Sequence, residues 1–255
     1  MMVIFIFDGT FEGMLTAIYQ AYYFKKPDRI LFRPDLQERL FEEKYFFRTD
    51  AAKSDQVYAA IEKKISRRAL EHIMYAFLSE DANTGTWVLN YLDFGWQAGK
   101  KLDMFLDDDR VKKIHDLSYR VAGERHRLLG LIRFRQLSLN TPVYYAPYEP
   151  DNNVTMLLAP HFARRLPDQN WIIHDVKRNL AAVHHPHEWV ITDLTRQQIP
   201  PLADQEAAYQ DLWRQYYRSI AIGERRNPAL QKQLMPMKYW KYLVEKEETL
   251  QHTTT

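Results

Sequence analysis

The stretch "PVYYAPYEPDNNVTMLLAPHFARRLPDQNWIIHDVKRNLAAVHH", residues 142–185, decides the fold. "PVYYAPYE" has the β-branched and aromatic content of a strand, and "PDNN" supplies turn residues. "VTMLLAPHFARRL" reads as a helix, with Pro160 placed near its start or at a kink. "QNWIIHD" and "LAAVHH" then read as two strands joined by the turn "VKRN". Upstream, "LIRFRQL" at 131–137 alternates. As a strand it would put Ile132 and Phe134 on one face and Arg133 and Arg135 on the other, the two guanidinium groups about 7 Å apart. Two strands, a helix and two strands make an α+β unit in which a helix packs on an antiparallel sheet.

Outward from this centre the pattern turns helical. At the N-terminus "VIFIF" predicts a strand, Asp8-Gly9 a turn, and "TFEGMLTAIYQAYYF" a helix capped by Thr10. "FDGTFEG" lacks both the dinucleotide-binding glycine pattern and the Gly-Lys-Ser/Thr of a phosphate loop, so a structural turn is the expected reading. "KYFFRTD" is a further strand. Val57, Ile61, Ile65, Ala69, Ile73 and Phe77 then recur every four residues, the spacing of a buried helical stripe. Asp107 to Asp109 open another helix by placing negative charge at its N-terminus. After residue 186, "QEAAYQDLWRQYYRSIAI" sets Ala207, Leu212, Trp213, Tyr216 and Ile220 on one apolar stripe. The chain is therefore expected to be one α+β domain over 1–245: a β-α-β start at 1–52, helices at 53–129, an antiparallel sheet with its helix at 130–185, a helical arm at 186–245, and a frayed tail at 246–255.

Totals exclude several chemistries. At 255 residues and 46% hydrophobic content the chain can bury a sizeable core. It contains no cysteine, which removes disulfides, thiolate metal sites and cysteine nucleophiles of its own. No apolar run reaches membrane-spanning length, so a cytoplasmic protein without membrane contact is expected. The net charge of +2 hides an uneven distribution: Arg110, Lys112, Lys113, Arg120, Arg125, Arg127, Arg133 and Arg135 face only Asp116 and Glu124 in that interval. A local excess of this kind attracts polyanions over about a Debye length.

"FDGTFEGMLTAIYQAY", "ERHRLLGLIRF", "YYAPYEPDNNV", "PHFARRLPDQNWIIHD" and "GERRNPALQKQLMPMKYWKYL", in this order from the N-terminus to about Glu245, resemble the bacterial family known as probable DNA metabolism proteins. Leu131 stands where that family's aromatic would precede the Arg-Phe pair. Members occur beside a radical SAM protein of DNA repair or modification, and some resemble a fusion to a uracil-DNA glycosylase-like domain. The resemblance implies work on DNA next to a radical SAM partner. It transfers no catalytic residue, and no cofactor is expected on this chain.

Three functions follow as expectations. A nucleic-acid-binding repair factor would use Arg133, Arg135, Arg164, Arg165, Lys177, Arg178 and Lys238 to neutralise phosphates, with Tyr239 and Trp240 as stacking platforms for an unpaired base. The competing role for these residues is internal ion pairing and packing of the tail. A hydrolase or glycosylase acting on damaged nucleic acid would use His161 and Asp175. Asp175 is also what a hairpin turn contains. A docking module without DNA affinity would present Glu224, Arg225, Arg226, Asn227 and Gln231. "HHPHEW" brings His184, His185, His187 and Glu188 into one short loop, but Pro186 and the opposite directions of successive strand side chains argue for a solvated turn and no metal site there.

Overall fold

A computed structural model describes residues 1–32, 41–186, 188–225 and 227–246. The chain forms two compact units, Met1–Ala122 and Gly123–Thr255. No helix among the described residues is long and apolar enough to cross a membrane.

The first unit opens with β1 (Met2–Phe7), α1 (Phe11–Tyr23), β2 (Arg29–Phe32) and β3 (Glu42–Phe47), the strands ordered β2-β1-β3 and both pairings parallel. β1 is central and buried from Val3 onward, matching the unbroken apolar run of a strand covered on both faces. The turn after it behaves as a cap. Thr10 accepts from the Gly13 amide, and Asp8 takes donors from Thr10 and Thr49, tying the end of β1 to the segment after β3. Burial works against charge on Asp8, but these donors outweigh it and hold its pKa below the ordinary value. Gly9 sits at φ +90° with the Phe32 ring against the place a Cβ would occupy, so a side chain fails there on two counts.

Four-residue periodicity becomes two helices, α2 (Ala51–Lys64) and α3 (Arg67–Leu78). Val57, Ile61, Ile65, Ala69 and Ile73 are buried as the stripe predicts, and Phe77 packs against the same core. The break falls at Ser66, whose hydroxyl accepts from the Ala69 amide and starts the second helix. α4 (Thr84–Ala98), a 3₁₀ turn at Gly99–Met104 and the start of α5 (Asp109–Leu131) complete the unit. Leu92, Leu102, Val111 and Ile114 belong to its core.

The second unit holds a five-stranded sheet ordered β4-β5-β6-β7-β8, built from β4 (Arg135–Gln136), β5 (Val143–Tyr148), β6 (Asn170–Asp175), β7 (Leu180–His185) and β8 (Glu188–Asp193), with α6 (Thr155–Arg165) between β5 and β6. The class is α+β. Three pairings are antiparallel, and β5–β6 is parallel because α6 carries the chain back to the starting end of the sheet. Pro160 lies inside α6. Two expectations change here. "LIRFRQL" is not a strand: α5 runs to Leu131 and the Ile132 amide still bonds Leu128 O, so Leu128 and Ile132 follow the helical period and only Arg135–Gln136 remains extended. Arg133 and Arg135 therefore do not share a strand face. The "HHPHEW" turn leads into β8, an edge strand largely exposed. α7 (Glu206–Ser219), α8 (Pro228–Leu234, capped by Asn227) and 3₁₀ turns at Met237–Tyr242 and Val244–Lys246 form the C-terminal arm.

Candidate functional site

The cations expected on one patch of the second unit are largely engaged inside it. Arg133 donates to Glu245 at 2.7 Å, lies over the Trp213 ring at 5.4 Å and bonds the Gly130 carbonyl. Arg135 is half-buried, opposite Tyr145 and engaged within the fold. Arg178 pairs with Asp175 at 2.8 Å and donates to the carbonyls of Pro150 and Asp151. Lys238 binds Glu124 and Asp151. Arg164, Arg165 and Lys177 are exposed, and no side-chain hydrogen bond or ion pair holds them among the described residues. The two arginines close α6 ahead of β6, whereas Lys177 follows the other end of β6, so the seven cations do not converge.

Tyr239 and Trp240 are 2% and 5% exposed, too buried to stack on a base. The Tyr239 hydroxyl donates to Glu124, and the Trp240 indole donates to Met235 O with the Lys246 ammonium over its ring. These rings pin the tail to its unit.

Glu124 organises this region. Its carboxylate is 1% exposed at the side chain and accepts from the Asp151 and Asn152 amides at 2.8 Å, from the Asn152 side chain at 2.5 Å, from Lys238 and from Tyr239. Burial pushes its pKa up, but this set of donors prevails and the group stays below its ordinary range. Asp175 is also sealed. It accepts from the Lys177 and Arg178 amides and the Arg178 guanidinium, closing the β6–β7 hairpin, and burial holds its pKa above the ordinary value. With 0% exposure it reaches no substrate, so the catalytic reading fails at Asp175. His161 is half-buried edge-on against Phe162. His184 is a core histidine, stacked on Trp171 at 4.7 Å and bonded to Gln169 O, while His185 is exposed, as the alternation of a strand requires. His187 and Arg226 lie outside the described residues.

What faces solvent instead is α7. Its apolar stripe is outside: Leu212 is 60% exposed and Tyr216 54%, with Tyr209, Trp213 and Ile220 beside them. The Trp213 and Tyr216 rings lie 5.8 Å apart. Beside this stripe α7 and α8 enclose a groove of about 860 Å³ that gathers Arg214, Arg218, Arg225 and Lys246 around Tyr217, Leu230 and Leu234. Its carboxylate, Glu245, is matched by Arg133 and the Trp213 indole, and Arg214 pairs with Asp211 at 2.6 Å. Arg225, Asn227 and Gln231 of the expected docking set line it, and Glu224 is exposed nearby in the chain. Asn227 also caps α8, and Gln231 accepts from Lys246 and donates to Tyr217.

In the first unit a cluster lies where the sequence drew no attention. His72 on α3, Asp103 in the 3₁₀ turn and His115 on α5 each bring one possible ligand atom within 4.8 Å of the others. The imidazoles stack with centroids 4.2 Å apart. His115 Nε2 meets Asp103 at 2.9 Å, Tyr91 donates to the same carboxylate at 2.6 Å, and His72 Nδ1 meets Ser118 Oγ at 3.0 Å. His72 Nε2 and His115 Nδ1 are buried without a hydrogen-bond partner among the described residues. Burial first, and the neighbouring imidazole second, lower the pKa of His72. Separations of 31 and 12 residues hide this grouping from motif reading, and the apolar period around His72 and His115 is the one local signal.

Fold and site thus define an α+β protein with a mixed sheet, an exposed cationic arm and a buried histidine pair. The chain belongs to the family of the domain of unknown function DUF4130, whose model matches residues 82–245. Neither the curated proteins nor the solved structures give a significant match.

Proposed function

We propose that this protein is a nucleic-acid-binding factor of DNA metabolism, working beside a radical SAM partner, and that its contact surface is the α7–α8 arm. One observation carries the reading: Tyr209, Trp213 and Tyr216 stand exposed along a helix whose neighbouring groove collects four cations. Rings interleaved with positive charge suit single-stranded nucleic acid, where phosphates are neutralised and bases stack. The sequence resemblance supports the DNA context and the partner. The sealed Asp175 offers no support for a glycosylase or hydrolase centred on that residue.

The test is binding to single-stranded oligonucleotides across a salt series. Each phosphate contact removed lowers the slope of log affinity against log salt by about 0.7 on a single strand. Arg225→Gln is expected to flatten the slope by one such step, and Tyr209→Ala with Tyr216→Ala to weaken binding by about 1–3 kcal/mol per stacked base. Wild-type affinity and slope in the folded triple variant would remove the arm from the proposal. A second reading has its own observation, the exposed Leu212, Ile220, Ile222 and Leu234, which suit a protein partner. Under that reading the radical SAM protein co-purifies in the absence of DNA and the oligonucleotides do not bind.

A further inference from the structure

We infer that His72, Asp103 and His115 form a binding site for a divalent transition ion of the zinc class. The donors are ones that such ions accept: the imidazoles of His72 and His115, with the Asp103 carboxylate holding His115 in place and water completing the coordination. Two observations point to a ligand rather than to packing alone. The three residues come from three separate elements and still bring ligand atoms within 4.8 Å of one another. Independently, His72 and His115 are 7% and 4% exposed, yet His72 Nε2 and His115 Nδ1 bond nothing among the described residues. Buried polar atoms left unsatisfied cost about 1–3 kcal/mol each, so their retention calls for a compensating partner.

The surrounding bonds fit this role. When His72 Nδ1–H donates to Ser118 Oγ, the lone pair on Nε2 is free for a metal. When His115 Nε2–H donates to Asp103, the lone pair on Nδ1 is free, and the Tyr91 hydroxyl steadies the same carboxylate. A carboxylate behind a ligating histidine is the usual outer support of a zinc site. Asp103 is 18% exposed at its side chain, which leaves the ion a route to solvent and a position for water.

The experiment uses the full chain stripped of metal by chelation and then titrated with Zn²⁺ in a calorimeter and with Co²⁺ in a visible spectrometer. One ion per chain is expected, with the ligand-field absorption of low-coordinate Co²⁺ and a rise in Tm. His115→Gln and Asp103→Asn should weaken binding at least 10-fold while the metal-free circular dichroism stays that of the wild type. Should either variant unfold, His72→Leu takes its place: loss of the Co²⁺ absorption in that folded variant puts the ion on this histidine pair, and an unchanged absorption overturns the site. A folded wild type that binds neither ion overturns the site. So does an ion retained undiminished by His72→Leu and His115→Gln, since that places binding on other histidines such as His185.

Discussion

Glu124 and the His72–His115 pair are both buried ionisable groups, one in each unit, and they are treated in opposite ways. Five donors converge on the Glu124 carboxylate from the 151–152 loop and the C-terminal arm, so its charge is satisfied where it lies. The histidines stack on each other, and each leaves one ring nitrogen without a hydrogen bond among the described residues. A buried group whose valences are filled from within the chain is a structural rivet. One whose valences stay open is held at a cost and points outward to a ligand.

The strongest test of this contrast is Glu124→Leu. Removing the carboxylate strands the buried Asn152 amide and Tyr239 hydroxyl, and takes a partner from the Asp151 amide and from Lys238, which keeps Asp151. Breaking a buried charged network from one side costs about 3–5 kcal/mol. Hydrogen exchange of the β5 and β6 amides, which reports the second unit alone, should show this loss as faster opening. Protection within about 1 kcal/mol of wild type would mean that Glu124 is not the rivet described.

Acid is a gentler probe of the same group. The folded pKa of Glu124 lies below its ordinary value of 4.5, so the folded state holds the charge more tightly than the unfolded chain does. Its contribution is complete above the unfolded pKa and drains away as pH falls through the lower folded one. Glu124→Gln should therefore be less stable than wild type at pH 7, and the gap in urea midpoint should narrow below pH about 4.5. A gap that widens on acidification would show a carboxyl already protonated in the folded protein.

How much of this could be seen in the sequence follows from the range of the interactions. Helical stripes and the strands β5, β6 and β7 are legible because period and turn residues are local, and Thr10 announces its cap, whereas the stripe runs through Ser66 without marking the break there. The helical reading ends at residue 129 because alternation in "LIRFRQL" competes with a four-residue spacing from Leu128 to Ile132, and the helix wins once its backbone bonds continue. The exposure of Leu212 and Tyr216 lay out of reach for a different reason: a stripe states which residues share a face but not whether another element covers it. Arg133, Arg178 and Lys238 have as partners Glu245, Asp175 and Glu124; two of these pairs span more than a hundred residues, and no spacing rule reaches that far. The same distance in sequence concealed His72 from Asp103 and His115.

The smallest expected effect is the most informative about the open group. His72→Leu removes the Ser118 contact, worth about 0.5–1.5 kcal/mol, and the stack on His115. It also removes an unsatisfied buried nitrogen, whose cost is of similar size and opposite sign, and fills the space with an apolar side chain. The two nearly cancel. Metal-free protein should thus keep its urea midpoint within about 1 kcal/mol, while Zn²⁺ no longer raises it, because a ligand that binds only the folded state stabilises in proportion to its affinity. A metal-free loss above about 2 kcal/mol would assign His72 to the same class as Glu124, a group whose bonds are complete and whose purpose is to hold the fold.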